Sequence, residues 1–369
     1  MRHILHFIHG LNVGGAETFI VNIIRHLDLN TFCFDFAIQN AKITNHQILN
    51  MITDEHIKIF TIPSFPHHPF AQYRALNELL AKNYYDIVHI HMNAAINPIP
   101  LLVSRHFKKV KFIIHSHSIS NSKGIVGKWL HYLNSRLLIN ESHVKVACSK
   151  EAGKWMFGNR NFSLLNNAID TNEVHYNSES RLCIRREFNI PNDAKVIGSI
   201  GRFVYAKNHQ FIIEIFNQYL KRNPDTFLLL VGDGELFKDI MTLANKNGVN
   251  GHIVFTGMRT DVSAMLSTMD CFLFPSHFEG LGFTAIEAES TGLYVVASNN
   301  VPSVINIKGF ANFLSLTDSI EKWINAIDNA LVKTSAYNRE VSPITNTQYD
   351  IDIMTKQLES IYLHPQNII

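Results

Sequence analysis

The 369-residue chain is poor in the features that proteins stabilised by disulfides or zinc, and proteins that span a membrane, depend on: clustered cysteines and long apolar runs. It contains four cysteines, and Cys33, Cys148, Cys183 and Cys271 stand too far apart to form a CxxC pair. That spacing disfavours a disulfide framework or a zinc knuckle and favours free thiols in a reducing cytoplasm. No stretch approaches the roughly 18 uncharged apolar residues of a membrane-crossing helix, so we expect no such helix.

An excess of either charge is also missing. Lysine and arginine total 33 and aspartate and glutamate total 31, so the net charge of +2 gives no reason to expect a nucleic-acid partner. Hydrophobic residues make up 46% of the chain and charged residues 17%, which excludes a disordered chain. Because the chain is more than twice as long as a common domain of about 150 residues, we expect two domains.

Short β-rich runs alternate with longer amphipathic segments, which is typical of parallel sheets covered by helices. The predicted strands are His3–Ile8, Phe32–Ile38, Ile57–Ile62, Ile87–His91, Val110–His115, Val144–Ala147, Val196–Ile200, Phe227–Val231, Ile253–Thr256, Cys271–Phe274 and Tyr294–Ala297. We therefore predict an α/β protein with doubly wound domains at 1–170 and 171–348. The segment 349–369 is predicted to be a helix that packs back on the first domain. Ligands of such sheets bind beyond the carboxyl ends of the strands, in the cleft where two such edges face each other.

The most specific stretch is Phe274–Gly292, in which a strand, a glycine-containing loop and a helix follow one another. The free N–H groups of a helix that begins near Phe283 favour a diphosphate. Glu279 in the loop and Glu287 in the helix could accept hydrogen bonds from sugar hydroxyls, or they could be surface acids. The spacing Gly280-x-Gly282 also matches a dinucleotide fingerprint, but the next strand ends without the acid that such a site needs.

Three further strand ends carry glycine. Gly201, Arg202 and Lys207 follow one strand, and two cations at a strand exit can hold a diphosphate, or they can be solvated. Asn208 is predicted to cap the next helix. The other two loops, with Gly232 and with Met258-Arg259, allow a base or ribose to approach the backbone, or they are plain turns.

Histidines end two strands of the first half. Alternation along a strand places His115 and His117 on one side, and His89 and His91 likewise. Either one histidine hydrogen-bonds a reacting sugar, which we favour, or the pairs bind a metal, although no acidic or cysteine ligand is near in sequence. A DxD triplet at 350–352 lies in the last predicted helix, where a solvated face is the expected role.

Taken in order along the chain, these motifs resemble glycosyltransferase family 4, retaining enzymes of the GT-B fold. The resemblance covers essentially the whole chain. It rests on Gly14-Gly15-Ala16-Glu17, His117, Asn167-Ala168-Ile169-Asp170, Gly201-Arg202 with Lys207, and the paired glutamates Glu279 and Glu287. One departure is at Gly282-Phe283, where the family usually has a Pro after Gly-Leu.

The resemblance implies a role for each motif. Glu287 would hold the nucleotide ribose and Glu279 the hydroxyls of the donor sugar, while Arg202 and Lys207 would bind the diphosphate. His117 would contact the donor sugar near the reacting carbon. The further positions implied to line the donor site are Gly14, Gly15, Gly201, Gly232, Met258, Arg259, Gly280, Leu281, Gly282 and Phe283.

The expected function is metal-independent, retaining hexosyl transfer in capsule or exopolysaccharide synthesis, with no cofactor. The resemblance implies a nucleotide sugar as donor, expected to be UDP-linked, and a saccharide or lipid-linked saccharide as acceptor. A nucleotide-sugar epimerase or hydrolase of the same fold, or a non-catalytic partner subunit, stays open as an alternative.

The segment 105–154 carries ten lysines and arginines against two glutamates. Within it, Gly124–Asn140 carries apolar residues at helical spacing with Lys123, Lys128 and Arg136 nearby, so we predict an amphipathic helix on an anionic membrane surface. The alternative is that Leu130, Leu133 and Leu137 pack on the sheet. The expected location is the cytoplasm, peripheral to the inner face of the cell membrane.

Overall fold

The computed structural model describes residues 1–11, 15–39, 57–118 and 124–365. The chain forms two compact units. The first unit comprises Met1–Ala168 together with Gln348–Ile369, and the second comprises Ile169–Thr347. The division lies two residues before the end of the predicted first domain and one residue before the predicted terminal segment.

The first unit is built on a parallel sheet of seven strands in the order β3-β2-β1-β4-β5-β6-β7. The strands are β1 (Arg2–Ile8), β2 (Phe32–Ile38), β3 (Lys58–Thr61), β4 (Ile87–Met92), β5 (Lys111–Ser116), β6 (Val144–Ala147) and β7 (Ser163–Leu164). The helices are α1 (Gly15–His26), α2 (Pro69–Lys82), α3 (Ile99–Val103), α4 (Gly124–Leu137), α5 (Lys150–Phe157) and, from the end of the chain, α12 (Ile351–Leu363).

Helix α12 packs into the core of the first unit. Its Met354, Leu358 and Ile361 belong to the same buried cluster as Ile4 of β1 and Phe32 of β2. The predicted return of the terminal helix to the first unit is therefore confirmed. The first aspartate of the DxD triplet is not on a solvated face as predicted, because buried Asp350 caps α12 by accepting a hydrogen bond from the Asp352 N–H at 3.0 Å.

The second unit has a six-stranded parallel sheet in the order β10-β9-β8-β11-β12-β13. Its strands are β8 (Lys195–Ile200), β9 (Thr226–Val231), β10 (Ile253–Phe255), β11 (Cys271–Phe274), β12 (Val295–Ser298) and β13 (Ala311–Leu314). Its helices are α6 (Ser178–Glu187), α7 (His209–Leu220), α8 (Phe237–Lys246), α9 (Val262–Thr268), α10 (Phe283–Ser290) and α11 (Ile320–Ala336).

All eleven predicted strands are present, and each end matches the prediction or differs from it by one residue. The predictions missed β7 and β13, which lie at sheet edges and span only two and four residues. Edge strands this short carry too few apolar residues to show a periodicity. In the first sheet the strand order reverses between β1 and β4, and in the second between β8 and β11. Crevices at such reversals are where open α/β sheets bind ligands.

Candidate active site

The predicted cation motif and the paired-glutamate motif meet at the reversal point of the second sheet. The loop with Gly201, Arg202 and Lys207, called the cation loop below, follows β8. The loop that leads to Glu279 follows β11, which is hydrogen-bonded to β8 in the sheet. Because both strands are parallel, both loops leave the same edge of the sheet.

Hydrogen bonds lock these two loops together. The His277 N–H donates to the carbonyl of Ala206 at 2.8 Å, and the His277 ring stacks on Tyr205. The Asn208 side chain donates to the carbonyl of Pro275 at 3.0 Å. Asn208 is the N-cap residue of α7, as predicted, but its side chain makes no capping hydrogen bond to the helix. It occupies the N-cap position in a left-handed conformation, but its amide ties the loops to each other instead.

Lys207 and Glu279 form a direct ion pair. The Lys207 Nζ donates to Glu279 Oε1 at 2.7 Å and lies over the Phe274 ring at 4.6 Å from its centroid. The Ser276 hydroxyl donates to the same carboxylate oxygen at 2.7 Å. Gly201 leaves room for the lysine, since a Cβ there would lie 3.0 Å from the Lys207 Cε. The two predicted roles, diphosphate cation and sugar-binding acid, therefore fall on residues that hold each other in place.

Glu287 lies on α10, the helix that follows the Glu279 loop, and it is half-buried. Burial raises the pKa of its carboxyl to about 7, and the positive charge of Lys207 opposes that rise. Lys207 therefore acts electrostatically on Glu287 as well as pairing with Glu279. Of the other predicted residues, Arg202 is exposed at the exit of β8.

The start of α10 presents backbone donors to this site. The helix begins at Phe283, as predicted, and no side chain among the described residues caps it. Gly282 has a φ of +83°. That left-handed conformation is the one that glycine adopts most readily. Gly280 is exposed and Leu281 is half-buried in the loop before it.

Gly232 joins the loop after β9 to the cation loop. Its φ is +135°, and a Cβ there would lie 2.1 Å from the carbonyl oxygen of Gly201, so only glycine allows this contact. Met258 is 83% exposed. Arg259, predicted as a donor contact, is engaged in ion pairs with Glu187 and Asp261, each at 2.7 Å.

In the first unit, the predicted histidines line one face of the sheet. His115 and His117 lie side by side with ring centroids 4.0 Å apart, and His89 and His91 with centroids 4.3 Å apart, as alternation predicts. His6 of β1 joins them, stacked on His91. Gly15 begins α1, whereas Gly14 lies outside the described residues.

The histidines come close enough to hold a metal ion. Ligand nitrogens of His6, His89 and His91 lie within 4.8 Å of one another, as do those of His91, His115 and His117. Sequence reasoning did not include His6, because its partners are distant in the chain. Ser276 was also missed, although a hydroxyl two residues beyond a strand end, within a candidate loop, is a signal that could have found it.

Comparison with known proteins identifies the family. The sequence model of Glycosyltransferase Family 4 matches residues 13–173, and that of Glycosyl transferases group 1 matches residues 180–342. The chain belongs to glycosyltransferase family 4. This glycosyltransferase is 27% identical over 343 residues to the putative glycosyltransferase EpsF of Bacillus subtilis, covering 89% of this chain and 88% of EpsF.

A second relative is named for its reaction. The UDP-Gal:alpha-D-GlcNAc-diphosphoundecaprenol alpha-1,3-galactosyltransferase of Escherichia coli is 26% identical over 268 residues, which cover 69% of this glycosyltransferase and 68% of the relative. The crystal structure of Anabaena HepE in complex with UDP superposes with a TM-score of 0.76 at 16% identity, covering 98% of this chain and 99% of HepE. The fold is GT-B, as predicted. No helix in the described part of the chain is long and apolar enough to cross a membrane.

Proposed function

We propose that this glycosyltransferase moves a hexosyl group from a UDP-sugar to a lipid-linked saccharide, with retention at the anomeric carbon and without a metal ion, in surface polysaccharide synthesis. The observation that carries the proposal is the cluster of Lys207, Glu279 and Glu287 at the reversal point of the second sheet. The reaction named for the Escherichia coli relative, which uses UDP-Gal and a diphosphoundecaprenol-linked sugar, supports the donor and acceptor classes.

The second unit supplies the charges that a nucleoside diphosphate needs. Arg202, Lys207 and the N-terminus of α10 offer positive charge and N–H donors to the two phosphates. Glu287 accepts hydrogen bonds from the ribose, and Glu279 accepts them from the sugar. The ion pair holds Lys207 at the site before the donor arrives, so less side-chain entropy is lost when the phosphate binds.

In the proposed transfer, the bond between the sugar C1 and the β-phosphate oxygen breaks as a bond forms between C1 and the acceptor oxygen. The acceptor attacks from the face that the phosphate leaves, which retains the configuration. The proton of the acceptor hydroxyl passes to the departing phosphate oxygen. Lys207 and Arg202 stabilise the negative charge that grows on the diphosphate, and His117 contacts the donor sugar.

Metal independence follows from this assignment, because protein cations carry the phosphate charge. Activity should survive EDTA without loss. An enzyme that stops on chelation and restarts with Mg²⁺ or Mn²⁺ would overturn this part of the proposal.

Donor binding can be tested with a panel of nucleotide sugars scored by thermal shift. UDP-sugars should raise the melting temperature of the wild type, and Glu287→Ala should remove that rise. Glu340→Ala is a matched control, because Glu340 is an exposed acid of the same unit. Stabilisation by GDP- or CMP-sugars alone would refute a UDP-linked donor.

Helix α4 supports the lipid part of the proposal because its apolar side chains face solvent and its polar ones are buried. Its apolar side chains face outward, with Ile125 88%, Trp129 61% and Tyr132 63% exposed. Its buried face is polar. The His131 ring accepts a hydrogen bond from the Ala95 N–H, and other buried members of this face are Asn134 and Ser135.

The buried polar contacts fix the helix in this orientation. The Asn134 amide donates to the carbonyl of Ala95 at 2.7 Å, and His131 stacks on Trp155 with centroids 4.0 Å apart. Rotating α4 to bury its apolar face would leave those groups unpaired, at a cost of about 1–3 kcal/mol for each group. Leu137 is 63% exposed, so the alternative in which it packs on the sheet is wrong for this residue, while Leu130 and Leu133 are half-buried.

Basic side chains surround the apolar face. Lys128 and Arg136 are exposed on α4 itself, Arg105 donates to the carbonyl of Leu137 at its end, and Lys154 is exposed on α5. This combination fits an anionic lipid surface, because the apolar and aromatic side chains can insert among the lipids and the cations are attracted to the anionic headgroups.

Co-sedimentation with vesicles of phosphatidylglycerol tests this contact. Wild-type binding should fall as salt is raised, and it should fall several-fold in Trp129→Asn and in the double variant Lys128→Gln with Arg136→Gln. Val332→Asn is a control, since Val332 is an equally exposed apolar residue on a helix of the second unit. Absence of vesicle binding at low salt, or equal binding by all variants, would contradict the assignment.

A further inference from the structure

Five histidines form a continuous layer on one face of the first sheet. They are His6 of β1, His89 and His91 of β4, His115 of β5 and His117 just beyond it, and they are called the histidine cluster below. The strand register places His6 beside His89 and His91 beside His115. Phe19 of α1 packs against the rings from above, with its centroid 4.8 Å from that of His115.

Hydrogen bonds divide the histidine cluster into two chains. In the first, His6 Nδ1 lies 2.9 Å from His91 Nε2, and His91 Nδ1 lies 2.8 Å from His117 Nε2. In the second, His89 bridges the Tyr362 hydroxyl at 2.7 Å and His115 Nδ1 at 3.2 Å. Only the first chain ends at His117.

The first chain is composed of neutral rings. Burial lowers the pKa of His6 and of His117 to about 3, and burial followed by repulsion from the neighbouring rings lowers the pKa of His91 well below its usual value. A neutral imidazole has one donor and one acceptor nitrogen. The proton positions along the chain are therefore coupled, because a donor at one contact requires an acceptor at the other nitrogen of the same ring.

Only two arrangements satisfy both contacts, and they differ at the ends of the chain. His6 Nε2 and His117 Nδ1 are buried and have no hydrogen-bond partner among the described residues. His6 Nε2 belongs to a ring packed between Phe34 and Phe36, with centroids 5.5 and 5.2 Å away. Each arrangement leaves an unpaired N–H at one end of the chain. That N–H is costlier at His6, which is fully buried among aromatic rings, than at His117, which is only half-buried and can meet a bound molecule.

We propose that His6 and His91 are positioning residues that fix His117 as a neutral ring with its proton on Nδ1. His6 then donates from Nδ1 to His91, and His91 donates from Nδ1 to His117 Nε2. This leaves the His117 Nδ1–H as a donor for an oxygen of the bound sugar. The inference rests on the proposed function, because the bound sugar supplies the acceptor that the His117 Nδ1–H otherwise lacks among the described residues.

The proton position is directly measurable. Two-bond ¹H–¹⁵N correlation spectra of protein labelled with ¹⁵N-histidine distinguish the two neutral tautomers. The form with the proton on Nδ1 is the less common one for free imidazole side chains in water. We expect that form for His117 in the wild type, with the signal assigned by its loss in His117→Asn.

Variants at His91 separate positioning from packing. His91→Phe keeps a buried ring and removes both hydrogen bonds, whereas His91→Asn keeps a donor near the position of Nδ1. The first should lower kcat at least about tenfold with little change in the donor KM, and it should move the His117 proton to Nε2. The second should preserve the tautomer and stay within about threefold of the wild-type kcat. His89→Phe is the matched control, because it breaks the second chain from the same strand and should leave the His117 signal in place.

Three results would overturn the inference. They are a wild-type His117 with its proton on Nε2, a normal kcat in His91→Phe, and one equivalent of tightly bound zinc in purified wild type that is lost in both His6→Phe and His91→Phe. Should no nucleotide sugar be turned over by any preparation, the proposed function fails, and the spectra still decide the proton position.

Discussion

Acidification should destabilise the first unit and stabilise the second. In the first, the histidine cluster is neutral when folded, with pKa values lowered by burial to about 3 for His6 and His117 and well below the usual value for the other three. Once unfolded, the same side chains bind protons below their ordinary pKa of about 6.5. Stability present above that pH is therefore lost as the pH falls from about 6.5 toward 3.

The size of the loss follows from the number of protons. Where the unfolded state binds one proton more than the folded state, the unfolding free energy changes by about 1.4 kcal/mol per pH unit. Between pH 7.5 and 5.5 each histidine of the cluster accounts for somewhat more than 1 kcal/mol, and the five together for about 7 kcal/mol. This loss is comparable with the entire stability of many domains.

The stability of the second unit should change with pH in the opposite direction. Burial raises the pKa of Glu289 to about 9 and that of Glu287 to about 7, so both carboxyls contribute more to the folding stability of the unit as the pH falls. His209, whose pKa burial lowers to about 4, offsets about 1 kcal/mol of that gain. The net change between pH 7.5 and 5.5 is a gain of a few kcal/mol.

Hydrogen exchange in urea, resolved by peptide mass, measures the two units in one sample. The urea midpoint of peptides from the first unit should fall between pH 7.5 and 5.5, and that of the second should hold or rise. His6→Phe should reduce the loss in the first unit by about one fifth, whereas His67→Gln, at an exposed position, is the matched control. Equal shifts in both units, or no shift in the first, would refute the assignment of a neutral buried cluster.

Three further predictions concern the site. Lys207→Ala and Arg202→Ala should each lower turnover by about 10²–10³ through lost stabilisation of the leaving diphosphate, with Lys246→Ala as an exposed control, and near-normal rates in both would reject their role. Calorimetry should find that Glu287→Ala weakens UDP and the whole donor alike while Glu279→Ala weakens only the donor, the reverse pattern meaning that the roles are exchanged. Gly232→Ala should lower the unfolding free energy of the second unit, measured in urea, by several kcal/mol, because its Cβ would lie 2.1 Å from the Gly201 carbonyl oxygen. Gly251→Ala is the control and should be near neutral, since Gly251 has open space around it. Equal urea midpoints for the two variants would contradict the close contact.

The strands and the site loops were predictable because most strands are short runs rich in apolar residues and each site loop carries glycine or charge after its strand. The order of the strands was not, since a parallel sheet can be wound in several ways with the same alternation. The order brings the loop of Lys207 beside that of Glu279, so the ion pair between them could not be read from the sequence.

The sequence left two orientations of α4 open, with the apolar face either on a membrane surface or on the sheet. Its apolar residues satisfy helical spacing whichever face is buried, and only the polar contacts of His131 and Asn134 with Ala95 settle the question. His6 was missed because its hydrogen bond to His91 joins strands 85 residues apart. Asn208 satisfied the rule for a helix cap, but its side chain found an acceptor in the neighbouring loop.

The most direct test of the proposed transfer is mass spectrometry of an undecaprenyl-diphosphate-linked GlcNAc acceptor after incubation with UDP-hexoses in the presence of EDTA. We expect an added mass of one hexose, a newly formed linkage with the anomeric configuration of the donor, and a product signal that falls about 10²–10³-fold with Lys207→Ala. Consumption of every active UDP-sugar without a change in acceptor mass would identify a hydrolase or epimerase instead. A product of inverted configuration would contradict the retaining mechanism.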